Sequence, residues 1–125
     1  MRLVATVIAV ALAAGAASLE AQGPAFDCTK AKGEVEALIC KDEGLAALDR
    51  ELDDVYKAAL AKARDAMPQT LRAEQRGWVK GRNDCWKAKD GTYLTASWQA
   101  TSVRECVEGN YKIRISELQA QWRLV

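Results

Sequence analysis

The sequence contains no histidine. Because histidine is the commonest general base and a frequent zinc ligand, its absence argues against Ser-His triads, Cys-His dyads and most zinc chemistry. The chain also lacks an excess of one charge, since 18 basic and 17 acidic residues leave a net charge of +1. Nucleic acids and anionic membranes attract proteins with a clear cationic excess, so neither is the predicted partner. The composition therefore leans away from an enzyme and indicates no metal or cofactor.

The chain is short enough for one domain, and its beginning has the layout of a secretory signal peptide. A single cation precedes an apolar run from Leu3 to Leu19, and small residues then offer cleavage after Ala17 or, as we prefer, after Ala21. The run is rich in alanine and shorter than the roughly 20 strongly apolar residues of a membrane-spanning helix. Lipoproteins carry a cysteine directly after the signal, whereas the first cysteine here is Cys28. We expect a signal peptide over residues 1–21 and a periplasmic or secreted domain over residues 22–125, without a membrane anchor after cleavage.

The expected mature domain holds four cysteines: Cys28, Cys40, Cys85 and Cys106. No pair has the CxxC spacing of a thioredoxin-like redox site or a zinc ribbon. In an exported protein an even number of cysteines predicts disulfides, and four cysteines allow three pairings. We favour the local pairs, Cys28 with Cys40 and Cys85 with Cys106, because each would tie neighbouring helical segments together. The sequence alone does not choose among the three.

Four segments have apolar residues at helical spacing, and none has the sustained alternation of a strand. The expected helices are one short helix over 34–40 and three longer ones over about 44–67, 69–87 and 101–123. Since Pro68 opposes a continuous helix beyond Met67, we expect Pro68-Gln69-Thr70 to form a tight connection. Short connections favour antiparallel neighbours. The pattern predicts a small all-α domain of one short and three longer helices, stapled by two disulfides.

Polar residues on the inner side of the third predicted helix indicate a buried clamp. Gln75 and Arg82 share that side with two tryptophans. An arginine that faces a core needs an acid, and Asp49 on the long helix is the predicted partner. The alternative is that Arg82 is presented to a binding partner. The predicted structural clamp comprises Asp49, Gln75, Arg82 and Arg114, with Asn110 and Tyr111 as further candidates.

A polar segment with two large aromatics, Tyr93 and Trp98, lies between Cys85 and Cys106. A disulfide that closed this segment would order it in advance and so lower the entropic cost of binding. Tyr and Trp are frequent interface anchors. We predict a candidate binding loop at Tyr93 and Trp98, and the alternative is that both rings pack on the core.

Several motifs together resemble a known family. They are Phe26-Asp27-Cys28, Glu36-xx-Ile39-Cys40, Leu48-Asp49-Arg50, Leu71-Arg72-xx-Gln75-Arg76-x-Trp78, Arg82-xx-Cys85 and Tyr111-xx-Arg114-Ile115. This combination resembles the LprI-like family of exported bacterial proteins over about Phe26 to Leu118. The resemblance implies a helical, disulfide-bonded extracytoplasmic domain with structural cysteines. It also implies lysozyme inhibition, the activity of the name-giving member, which is a lipoprotein, whereas this chain lacks the lipoprotein cysteine.

The leading functional hypothesis is therefore a lysozyme inhibitor that acts by direct binding. The alternative is a structural or interaction module of the bacterial envelope with another protein partner. A hydrolase without histidine would need two carboxylates held across a cleft, and adjacent acids on a helix point in different directions. Many lysozymes are strongly cationic, so a local acidic patch would help an inhibitor to approach them. The candidate patch comprises Asp42, Glu43, Glu51, Asp53 and Asp54.

Overall fold

The computed structural model describes residues 22–90, 100 and 102–124. Within those residues the chain forms four α-helices and no β-strand, which confirms the all-α prediction of one short and three longer helices. They are α1 (Gly33–Lys41), α2 (Glu43–Lys62), α3 (Met67–Asn83) and α4 (Val103–Trp122). Short 3₁₀ segments precede α1 at Cys28–Lys30 and follow α3 at Asp84–Asp90. None of the described helices is long and apolar enough to cross a membrane.

Short polar side chains define where α2 and α4 begin. Asp42 accepts a hydrogen bond from the Leu45 backbone N–H at 3.0 Å, and Ser102 accepts one from the Glu105 N–H at 3.1 Å. Such caps satisfy donors that the first turn of a helix otherwise leaves free. Asp42 is also the C-cap of α1, which ends at Lys41, so a single residue separates α1 from α2.

The connection between α2 and α3 differs from the prediction. Helix α2 ends at Lys62, and the chain reverses at Asp65, whose φ of 56° lies in the left-handed region. Pro68 lies within the first turn of α3, so the expectation that Pro68-Gln69-Thr70 forms the connection is wrong. Proline is well suited to a first helical turn, because its missing N–H would have no partner there. The third helix is also shorter than predicted, because it tightens into the 3₁₀ segment after Asn83.

The core lies between the helices, and its most extensive packing is between α2 and α4. Helix α1 and the 3₁₀ segment after α3 close the remaining sides. Burying the apolar side chains of this core is the main favourable contribution to the free energy of folding. The largest fully buried side chains are Tyr111, Ile39, Leu45, Leu71, Leu118 and Val107 together with the Cys85 and Cys106 sulfurs.

Two disulfides join the elements in the favoured local pairing. Cys28 is bonded to Cys40, with a Cα–Cα distance of 6.0 Å, and this bridge ties the first 3₁₀ segment to α1. Cys85 is bonded to Cys106 at 5.6 Å, and this bridge ties the second 3₁₀ segment to the start of α4. Loop-closure entropy makes a bridge of this span worth about 3 kcal/mol. The pairing confirms the favoured choice among the three that the sequence allowed.

Candidate functional site

A groove of about 350 Å³ opens where α1, α2 and α3 meet the segment that precedes the first disulfide. We call residues 22–27 the N-terminal strap. Its Phe26 forms one wall, and Trp78 and Val79 of α3 line the groove as well. The complete lining is Ala25, Phe26, Glu36, Asp49, Leu52, Asp53, Tyr56, Gln75, Trp78, Val79 and Arg82.

The N-terminal strap is held against α2 by hydrogen bonds, and a disulfide to α1 anchors the chain directly after it. Its Ala25 N–H donates to Asp49 Oδ2 at 2.8 Å. Arg50 Nη1 donates to the carbonyl oxygens of Gln22 and Gly23, both at 2.7 Å. The disulfide at Cys28 fixes the chain immediately after the strap. Hydrogen bonds to Asp49 and Arg50 of α2 therefore fix the position of this wall of the groove.

A buried polar network forms the floor of the groove. Asp49 Oδ1 accepts a hydrogen bond from the Tyr111 hydroxyl at 2.6 Å. The same hydroxyl accepts one from Arg82 Nη1 at 3.1 Å, and that nitrogen lies 3.9 Å from Asp49 Oδ1. Arg82 is 4% exposed and Asp49 is 9% exposed. The structure thus brings together the arginine and the acid that the sequence paired, with a tyrosine between them.

Every nitrogen of the Arg82 guanidinium makes a contact. Nε and Nη2 donate to Asn83 Oδ1 at 3.1 and 2.8 Å, while Nη1 is used by Tyr111. The guanidinium carbon lies 5.8 Å from the ring centres of both Phe26 and Trp78. These distances permit cation–π attraction. Each nitrogen of Arg82 therefore donates to a neighbouring side chain and two aromatic rings lie close to the guanidinium, so the side chain is held in place in the groove floor.

Burial changes the acid–base behaviour of Tyr111. Its side chain is fully buried, and desolvation raises the pKa of the phenol far above its ordinary value. The Arg82 charge opposes that shift, and the Asp49 charge reinforces it. The hydroxyl therefore keeps its proton, as a donor to Asp49 must. Asp49 itself accepts two hydrogen bonds and faces a guanidinium, so both of its carboxylate oxygens are held in place.

Arg114 belongs to a separate pair. Its Nε donates to Gln75 Oε1 at 2.9 Å, while Glu74 and Glu117 lie at 3.9 and 3.7 Å from its terminal nitrogens. Its Nη2 is buried and has no hydrogen-bond partner. The four residues of the predicted clamp thus lie in two pairs, Asp49 with Arg82 and Gln75 with Arg114.

The sequence reasoning missed several contributors to the network. Asn83 and the N-terminal strap were not assigned, although both contact Arg82 or its acid partner. Asn110 is in contact with the site only through its carbonyl oxygen, which accepts from Trp78 Nε1 at 3.3 Å. Its side chain instead donates to the Cys106 carbonyl oxygen at 2.8 Å. Only Asn83, adjacent to Arg82 in the chain, offered a local signal.

Two predicted features lie outside the described residues: the signal peptide over residues 1–21 and the binding loop at Tyr93 and Trp98. Within the described ranges, no group of three or more His, Cys, Asp or Glu side chains is arranged to hold a metal ion.

The comparison with known proteins identifies the family. The family model described as "Lysozyme inhibitor LprI" matches residues 28–118. This chain belongs to the LprI family. Proteins named Lipoprotein LprI from Mycobacterium bovis and Mycobacterium tuberculosis are 35% identical to it over 96 residues. That alignment covers 77% of this chain but only 41% of each relative, so the chain spans about two fifths of their length. No solved structure matches.

The LprI match includes all four cysteines and both buried arginines. The N-terminal strap lies before it, since the match begins at residue 28. The matched segment therefore contains both disulfides and the Asp49, Arg82 and Tyr111 side chains of the groove floor. The Phe26 wall comes from residues that precede the matched segment.

Proposed function

We propose that this protein is an exported cell-envelope protein that inhibits lysozyme-type muramidases by binding them directly, without catalysing a reaction. The observation that carries the proposal is the match of the "Lysozyme inhibitor LprI" family model to residues 28–118. The proposal includes cleavage of a signal peptide over residues 1–21, which leaves a periplasmic or secreted domain over residues 22–125. Two disulfides support export, because such bonds persist in oxidising compartments.

A rigid scaffold is what an inhibitor needs, since ordering before binding reduces the entropic cost of association. The two disulfides and the buried Asp49–Tyr111–Arg82 network supply that order. Among the described residues Asp49 is the one buried carboxylate, and its hydrogen bonds commit it to structure. These features favour a binding protein over a hydrolase.

Part of the predicted acidic patch is available to a cationic lysozyme. Asp42 is bonded to Arg104 at 2.7 Å, and this hydrogen bond lowers the pKa of the Asp42 carboxyl. Asp53 pairs with Lys57 at 2.7 Å. The remaining members of the patch have exposed side chains on α2 and make no ion pair with another described residue: Glu43, Glu51 and Asp54. Such charges accelerate encounter with a cationic partner more than they strengthen the complex.

The direct test uses the protein after the expressing cells have processed and exported it. Lysis of bacterial walls by lysozymes of several types is followed together with direct binding. We expect dose-dependent inhibition by the oxidised protein and its loss after reduction, because the disulfides hold the scaffold together. A folded, oxidised protein that binds none of the lysozymes would refute the proposed function.

A second candidate function is a structural or interaction module of the envelope with another protein partner. It is favoured by the coverage of the relatives, because the matched region accounts for only 41% of their length. The activity of a longer protein can reside in a segment that this chain does not share. Co-purification of a different envelope protein, together with no affinity for any lysozyme, would support this candidate over the first.

A further inference from the structure

The exposed cations of α3 differ from those of the other long helices. Arg72, Arg76 and Lys80 follow one another at one-turn spacing and are all exposed. We call these three residues the α3 basic face. None of their side chains makes an ion pair or a hydrogen bond with the part of the chain that the structure describes. Like charges one turn apart destabilise a helix, so the arrangement is costly for folding.

On α2 and α4, exposed cations form ion pairs with acids one turn away. Lys57 pairs with Asp53 one turn before it at 2.7 Å. Lys112 pairs with Glu108 at 3.0 Å, and Glu108 also binds Arg104. The nearest acid on α3, Glu74, lies 3.9 Å from the buried Arg114. Helix α3 thus presents positive charge that no other described residue pairs with.

The basic face borders an apolar hollow. Arg72 and Arg76 line a second cavity of about 340 Å³, whose other walls are Tyr56, Gln75 and Val79. Those three walls also line the groove, so the two depressions adjoin. A guanidinium beside apolar surface binds a carboxylate more strongly than one surrounded by water, because fewer water molecules screen the pair. The surface therefore combines contact area with unpaired donors.

We infer that the α3 basic face is the surface that enters the substrate cleft of the muramidase, with Arg72 and Arg76 facing its catalytic carboxylates. This inference rests on the proposed function. Muramidases act through a pair of carboxyl groups that flank the scissile glycosidic bond. The fork of an arginine side chain matches the geometry of a carboxylate, and lysine lacks that fork. An arginine pair over an apolar hollow thus complements a cleft that contains two acids.

The first experiment compares two charge-matched double variants. Arg72→Gln/Arg76→Gln removes two cations from the basic face, and Lys41→Gln/Arg123→Gln removes two exposed cations that line neither depression. We expect the first to weaken lysozyme inhibition and binding at least about tenfold and the second to change them less than about twofold. Thermal unfolding of both variants verifies that the fold is retained.

The second experiment changes the muramidase. Replacing its ionised catalytic aspartate, the partner of the general acid, by asparagine removes one cleft charge and nearly keeps the shape. We expect the unmodified inhibitor to lose affinity for this enzyme, and Arg72→Gln/Arg76→Gln to bind it as weakly as it binds the normal enzyme. Such non-additivity is the signature of residues in direct contact.

The outcomes separate this inference from the proposed function. Inhibition that survives Arg72→Gln/Arg76→Gln but is lost in Glu51→Gln/Asp54→Asn would place the contact on the acidic side of α2. The proposed function would then stand without the α3 contact. If the folded protein binds no muramidase, and Arg72→Gln/Arg76→Gln instead releases it from purified anionic wall polymer, both proposals are overturned.

Discussion

The two buried arginines of this domain have the same side chain and different surroundings. Arg82 is 4% exposed and Arg114 is 7% exposed. Arg82 has a buried acid, a buried hydroxyl and an amide oxygen around it. Arg114 has one good hydrogen bond and two distant acids whose side chains are about half exposed. The two arginines are buried to a similar extent, and they differ in how far their acidic partners are buried. An exposed acid can be hydrated when its cation is removed, whereas a buried acid cannot.

The largest expected effect separates the two arginines directly. Arg82→Met keeps apolar volume but leaves Asp49 buried without its cation, and breaking such a pair costs about 3–5 kcal/mol of unfolding free energy. Urea denaturation of the oxidised protein measures it, with Arg76→Met as an exposed control on the same helix. An Arg82→Met protein with unchanged stability would rule out the structural clamp and favour a recognition role.

The second effect concerns the hydroxyl that joins Arg82 to Asp49. Tyr111→Phe leaves Asp49 Oδ1 without its donor, and the expected loss is about 1–3 kcal/mol at neutral pH. Equilibrium unfolding of this variant beside the unmodified protein gives the difference. If Tyr111→Phe lowers the free energy of unfolding as much as Arg82→Met does, the hydroxyl contributes most of the interaction between Arg82 and Asp49.

The raised pKa of Tyr111 adds a pH dependence. In the unfolded chain a tyrosine loses its proton near pH 10, whereas in the folded protein this one retains it. Its contribution to stability is therefore full below about pH 10 and is lost as the pH rises further. We expect a shallower alkaline decline of stability in Tyr111→Phe, measured by denaturation from pH 8 to 12. Parallel curves for the two proteins would contradict this assignment.

A smaller effect is expected at the second arginine. Arg114→Met removes the hydrogen bond to Gln75, but Glu74 and Glu117 become hydrated instead of stranded. The expected loss is about 1 kcal/mol, since one hydrogen bond contributes that much on average. A loss that equals the effect of Arg82→Met would show that the exposed acids are as costly to isolate as Asp49.

The smallest expected effect is at the rim of the same pair. Glu117 lies 3.7 Å from Arg114, and its side chain is 58% exposed. Because solvent screens such contacts, Glu117→Gln is expected to change stability by no more than about 0.5 kcal/mol. Thermal unfolding at low and high salt measures the change. A loss above about 1 kcal/mol would mean that the Arg114–Glu117 ion pair contributes more to stability than an exposed pair should.

Local patterns predicted the helices better than they predicted the chain reversals. The apolar spacing that produces α2 and α4 is repeated over several turns, so single residues matter little. The α2–α3 connection depends on one left-handed residue, Asp65, and proline chemistry allowed Pro68 either to end one helix or to begin the next. The pattern indicated the helix break but not the side of Pro68 on which it falls.

The structure divides the four residues of the predicted clamp between two contacts, Asp49 with Arg82 and Gln75 with Arg114. The rule that a buried cation needs an acid pairs Arg82 with Asp49. Nothing in the local sequence indicated that Gln75 would turn to Arg114, or that the strap would cover Asp49. Two side chains on one face of a helix can be directed to different neighbours, and only the positions of those neighbours decide between them.

By itself, the sequence determined the helical class, because apolar periodicity acts within a few turns, and it excluded histidine-based chemistry. The disulfide pairing, the two separate arginine pairs and the groove were decided by tertiary structure. Tyr111 and Asp49 are 62 residues apart, and Arg82 and Tyr111 are 29 apart. Contacts of that range depend on how the helices pack, since hydrogen bonds and charge pairs act over a few ångströms and the chain alone does not set those distances.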